Sequence, residues 1–169
     1  MRADLFELAL HARRGSLNLC MTTTGLTLPA LGPEALGLFN QVNVSCHGDE
    51  QVLWRALWHL DDHKIPRRIN FVAVCEHMAR LPIIAVLAEA FDTELLLLTA
   101  KGGAGAPAPR AVMAEARKLR EQGLCLAVDG LTCAGEMAEF CMPSRARGSL
   151  PLIIASSCGR TSSLRCPSS

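Results

Sequence analysis

The chain has 169 residues, half of them hydrophobic, only 4% aromatic and none Tyr, with a formal charge of +1. A chain of this length buries about two-thirds of its surface around one core, and an aliphatic composition with so few aromatics suits an α/β core better than a sandwich. The near-zero charge gives no long-range field toward phosphate backbones or acidic lipids, and the scarce aromatics give no base-stacking platform, so nucleic acid is not an expected partner.

Taken in chain order, Asp4 and Glu7 stand at capping-box spacing and open a predicted amphipathic helix that carries His11, Arg13 and Arg14 and stops at Gly15. This opening does not read as a signal peptide, and none is expected. A strand is predicted over 17–21, followed by the polar turn Thr22-Thr23-Thr24-Gly25 and a short helix with Pro33 in its first turn, where a missing N–H costs nothing. The alternating segment Phe39 to Gly48 predicts a strand over Gln41 to Ser45 that runs into the turn Ser45-Cys46-His47-Gly48. A helix follows, with Leu53, Leu57 and Leu60 on one face. Strand 69–74, helix 82–91, strand 94–98, helix 110–121 and strand 124–128 continue the series at a period of about 25 to 30 residues, that of a β/α unit with its crossover helix. Five parallel strands are expected. Apolar runs such as Ile83 to Ala90 are far shorter than the roughly 20 residues a membrane span needs, so no membrane partner is expected and the chain reads as soluble and cytoplasmic. In that reducing setting its eight Cys are buried thiols, reactive thiols or metal ligands rather than disulfides.

In a parallel sheet the groups just past the carboxyl ends of the strands face the ligand, which makes Ser45-Cys46-His47, Cys75-Glu76-His77 and the Thr22–Thr24 turn the places to look for chemistry. Each has a plainer reading. Ser45 in a turn bonds readily to its own backbone. Cys46 and His47 are neighbours on a strand and point to opposite faces, so they do not form a dyad. Cys75 and His77 share a face at i and i+2, a spacing a metal uses only with further ligands. Cys20 reads as a small buried hydrophobe, and Trp54 and Trp58, at i and i+4, as helix packing. Gly102 to Pro109 fits neither the dinucleotide fingerprint nor the P-loop and reads as a flexible connection, a phosphate loop being the lesser alternative.

From Arg2 to about Gly135 the order of pieces resembles the radical S-adenosylmethionine enzymes, especially those with a SPASM-type carboxyl-terminal extension. Arg2 to Leu8 resembles the helix after that family's Gly-Gly-Glu-Pro strand end. Leu19-Cys-Met-Thr-Thr-Thr-Gly25 resembles its third strand, Val42-Asn-Val-Ser-Cys-His-Gly48 its fourth, and 69–74 and 94–98 its fifth and sixth. Thr132-Cys-Ala-Gly135 resembles the first cysteine of the extension. The resemblance implies an α/β fold forming a partial parallel (β/α) barrel. It also implies an S-adenosylmethionine cofactor, a 4Fe–4S cluster and a peptide or protein substrate, in an oxidoreductase or maturase. By position, Ser45 would contact the ribose, with Thr23, Thr24 and Asn70 as neighbouring cofactor contacts, although Thr24 departs from the family's usual Asn. Cys133 and Cys141 would be ligands of an auxiliary cluster. The family's C-x3-C-x2-C motif and its Gly-Gly-Glu-Pro strand occur nowhere in the sequence. The expectation is therefore an amino-terminally truncated core fragment over 1–130, inactive alone because cluster chemistry belongs to the cofactor and the protein positions it.

Residues 131–169 form a second region, a remnant of the extension. Beyond Cys141 the apolar period is lost and Ser, Arg, Cys and Pro crowd together. A disordered tail and a stretch read in a shifted frame both fit that text. The alternative to the enzyme fragment is a non-catalytic β/α binding or interaction domain that self-associates or binds another chain through its exposed first-strand edge.

Overall fold

The structure, a computed structural model, describes residues 4–99, 105–124 and 126–129. Along these the elements are α1 (Leu5–Arg14), β1 (Cys20–Thr23), α2 (Pro33–Leu36), β2 (Gln41–Cys46), α3 (Glu50–Asp62), β3 (Arg67–Ala73), α4 (Leu81–Ala90), β4 (Glu94–Thr99), α5 (Pro109–Glu121) and β5 (Leu126–Val128), with 3-10 turns at Leu28–Ala30 and Met78–Arg80. The five strands form one sheet in sequence order, β1-β2-β3-β4-β5, and every neighbouring pair is parallel. The expected α/β architecture with five parallel strands flanked by helices is what the chain adopts.

Strict alternation builds the core. In β2, Val42, Val44 and Cys46 are buried while Gln41, Asn43 and Ser45 are half-buried. In register beside them stand Ile69 and Phe71 of β3, Leu95 and Leu97 of β4, and Leu126 and Val128 of β5, all in one apolar cluster with Leu53, Leu57 and Leu60 of α3, Ile84 of α4 and Leu119 of α5. Right-handed crossovers between consecutive neighbouring strands place successive helices on the same face, which is why a single face carries all of this apolar surface. Each fully buried Leu, Ile or Phe there contributes about 1.5–3 kcal/mol.

Local signals set the ends. Asp49 caps α3, its Oδ1 accepting from the N–H groups of Gln51 and Val52 at 3.0 Å each, while Pro33 occupies the first turn of α2. The capping box expected at Asp4 and Glu7 is not made. Asp4 has ψ near 5° instead of the extended backbone that a capping side chain needs, and it makes no side-chain cap bond. The first strand also starts later than 17. Its partner β2 begins only at Gln41, and Asn40 engages Leu19 outside the ladder, donating its N–H to the Leu19 carbonyl (2.7 Å) and accepting the Leu19 N–H on Oδ1 (2.9 Å). At the amino end of β3, Arg67 Nη2 donates to Asp61 Oδ1 (2.8 Å) and to the Phe91 carbonyl (2.6 Å), tying the ends of α3 and α4 together.

Candidate functional site

The sheet face away from the helices carries the chain's polar strand residues. Register aligns them in two rows across the strands: Thr22, Asn43, Arg68 and Glu94, then Ser45, Asn70, Leu96 and Ala127 one step nearer the carboxyl ends. The first row satisfies itself. Gln41 Nε2 donates to Asn43 Oδ1 (2.7 Å), Asn43 Nδ2 reaches Thr22 Oγ1 (3.5 Å), and Arg68 pairs with Glu94 through Nε (2.8 Å) and Nη2. The second row does not. Asn70 is only 8% exposed, yet its Oδ1 has no hydrogen-bond partner, and a buried acceptor left unpaired costs about 1–3 kcal/mol. Ser45 is its register partner on the next strand, about 4.8 Å away, with side chains on the same face.

At the carboxyl rim the β2–α3 and β3–α4 connections lock together. Gly48 has φ +88°, and a Cβ there would lie 2.8 Å from His77 Cδ2, so only glycine lets the His77 ring lie against this turn. Arg80 Nη1 donates to the Gly48 carbonyl and to Glu50 Oε2 (2.7 Å). Cys46, buried beneath this turn, has its thiol pKa pushed above the ordinary 9.0, by burial first, against a lowering backbone hydrogen bond from Gly48.

The expected cofactor residues separate into two groups. Ser45 and Asn70 are brought side by side. Thr23 pairs in register with Val44 and therefore lies on the helix side, where its Oγ1 accepts from the Gly25 N–H (3.1 Å) and shapes the turn. Thr24 lies just past the end of β1 and is exposed. Cys133 and Cys141 lie outside the described residues. Cys46 is buried at the end of β2, and His47, in the turn just beyond it, is exposed. Three other readings are corrected. Cys20 is exposed, because β1 is an edge strand and Cys20 sits on the helix-free face. Trp54 and Trp58 lie on the solvent side of α3, 48% and 55% exposed, with their rings 6.4 Å apart. Cys75 and His77 share no strand face, since β3 ends at Ala73 and His77 turns onto Gly48.

Sequence reasoning passed over Arg68 and Glu94. Alternation with Ile69 and Phe71 was the signal that put Arg68, like Asn70, on the far face. Among the described residues no three His, Cys, Asp or Glu side chains gather as a metal site, and no helix is long and apolar enough to cross a membrane. No protein-family profile matches the chain, and no curated protein matches it.

The Ser45–Asn70 pair fits a ligand that presents hydroxyl groups. An unpaired buried carbonyl oxygen accepts from one hydroxyl, the serine hydroxyl both donates and accepts, and Leu96 offers an aliphatic flank. A ribose has this donor and acceptor pattern. For an iron–sulfur cluster the described thiols do not fit: Cys20, Cys46 and Cys75 stand on the edge strand, under the helices and in the β3–α4 connection.

Proposed function

We propose that this chain is part of a radical S-adenosylmethionine enzyme of the SPASM-extended kind, an open (β/α) barrel whose helix-free sheet face cradles the cofactor. The observation that carries the reading is the register pairing of Ser45 with Asn70 on that face, with the buried Asn70 Oδ1 lacking a partner. Strand order supports it too, since consecutive parallel strands with all crossovers to one side curl toward a barrel whose interior is the other face.

When bound, S-adenosylmethionine would supply the source of hydrogen-atom abstraction from a peptide or protein substrate, its cluster ligands lying outside this sequence's described thiols. The chain's own residues do the positioning. Asn70 Oδ1 would accept from a ribose hydroxyl, Ser45 Oγ would hydrogen-bond a neighbouring one, and Leu96 would offer an apolar flank. The Arg68–Glu94 pair fills the face toward the amino ends of the strands and keeps the ligand near the carboxyl rim. Residues 1–130 form the core in this reading, and Cys133 and Cys141 belong to the extension that holds an auxiliary cluster.

Calorimetric titration with S-adenosylmethionine tests the cradle. Saturable binding is expected, weakened about tenfold by Ser45→Ala and again by Asn70→Leu, the worth of one good hydrogen bond each. Binding indifferent to both substitutions, or none at millimolar cofactor, removes the reading. With the C-x3-C-x2-C motif absent from its sequence, the chain alone is expected to release no 5'-deoxyadenosine after anaerobic iron and sulfide reconstitution. Product at turnover level contradicts that part.

A further inference from the structure

The carboxyl end of α3 carries two histidines four residues apart, His59 in its last turn and His63 at its cap. Residues at this spacing are neighbours on a helix, and the later side chain leans back over the earlier one. Both are half-buried. Their rings meet edge to face, with centroids 4.7 Å apart and planes at 87°. The pair lies at the amino ends of the strands, because α3 runs back from the carboxyl rim at Asp49 to the start of β3 at Arg67. It is separate from the Ser45–Asn70 row, and the inference does not rest on the cofactor reading.

One hydrogen bond fixes where the His59 proton sits. Nε2 lies 3.1 Å from the carbonyl oxygen of Leu31. A carbonyl only accepts, so Nε2 carries the hydrogen, and in a neutral imidazole Nδ1 is then left with a bare lone pair. Histidines that hold a metal through one ring nitrogen are commonly oriented this way, by a carbonyl accepting from the other. The ring of His63 makes no hydrogen bond to any described residue, which leaves it a nitrogen to offer.

The separation of the rings is an independent observation. With nitrogen–metal distances of about 2.0–2.1 Å and a ring centre about 1.1 Å behind each nitrogen, two imidazoles on one ion have centroids about 4.5 Å apart at a right angle and about 5.1 Å at the tetrahedral angle. The 4.7 Å found here falls between these and nearer the first. A right angle between adjacent ligands belongs to the tetragonal geometry of Ni2+ and Cu2+, ions that imidazole suits. Asp61 does not join the pair, being tied to Arg67 (2.8 Å) and Lys64 (3.9 Å). Water completes the shell.

We propose that His59 and His63 form a two-histidine chelate for a divalent transition-metal ion of the nickel and copper class, His59 binding through Nδ1 while its Nε2–H holds the Leu31 carbonyl. Because the fold already sets the rings at the separation of two ligands on one ion, binding costs little rearrangement.

The probe is Ni2+ added to the whole chain and read by tryptophan fluorescence. The chain's two tryptophans, Trp54 and Trp58, stand on the same helix as the site, so a paramagnetic ion bound there quenches them. Saturable quenching is expected. His63→Ala and His59→Ala should each weaken it at least about tenfold, since even residues that only orient a ligand are worth that much. His47→Ala, at the opposite end of the sheet, should leave it unchanged. Nickel held by thiols elsewhere, such as exposed Cys20 or Cys75, quenches all these chains alike and drops out of the comparison. His59→Ala also removes the bond to Leu31, and if it fails to fold, His63→Ala carries the comparison alone. Equal quenching of His63→Ala and the unaltered chain, no saturable phase, or an equal loss in His47→Ala would each overturn the proposal and leave the pair as a packing contact between two rings.

Discussion

The two faces of this sheet are built from the same strands, one residue apart, and answer to different physics. Phe71 faces the helices and is fully buried in the shared apolar cluster, where every contact contributes to stability. Its neighbour Asn70 faces the other way, 8% exposed, with a carbonyl oxygen that is out of reach of water and unpaired. The first face is what a fold needs. The second accepts a cost that folding alone does not require, and such departures gather where a protein binds something.

Phe71→Ala should break the first face most severely, costing about 3–5 kcal/mol through lost burial and the cavity left behind. Urea unfolding reads this directly, and a loss below 1 kcal/mol would mean that the cluster is looser than its burial implies. At the rim where the faces meet, Gly48→Ala should cost roughly 1–2 kcal/mol for the left-handed backbone alone, with displacement of His77 added. A smaller effect is expected from Cys46. Its thiol pKa is raised in the folded state, so its contribution is fully present below the unfolded value near 9.0 and is lost as pH rises through the folded value. Stability should therefore decline above about pH 9, and Cys46→Ala, though less stable at every pH, should show less of that decline in parallel melts. The smallest change sharpens the contrast: Asn70→Leu removes an unpaired buried acceptor and should leave the melting temperature unchanged or higher. A marked loss of stability there would show that Asn70 belongs to the fold rather than to a ligand.

Much of this arrangement was legible beforehand because period-two alternation is a local property. Val42, Val44 and Cys46 against Asn43 and Ser45 announced two unlike faces, and the spacing of apolar runs announced five β/α units. The misreadings have a common cause. Cys20 looks like a core residue by its neighbours in sequence, but whether a strand is central or at an edge depends on which strands pair. Trp54 and Trp58 have helical spacing, but which side of α3 meets the sheet depends on Leu53, Ala56, Leu57 and Leu60 outcompeting them. Cys75 and His77 seemed to share a strand face until the turn at Gly48 drew His77 away.

The sequence by itself determined the secondary elements, their α/β order and the polarity of each strand face, since these follow from alternation, helical period and turn residues acting over a few positions. Only the tertiary structure decided that Ser45 and Asn70 stand side by side while Thr23 turns toward the helices, that Arg68 is neutralised by Glu94, and that Cys20 stands on an edge strand. Those are matters of register and of sheet edge, fixed by pairing between segments distant in sequence.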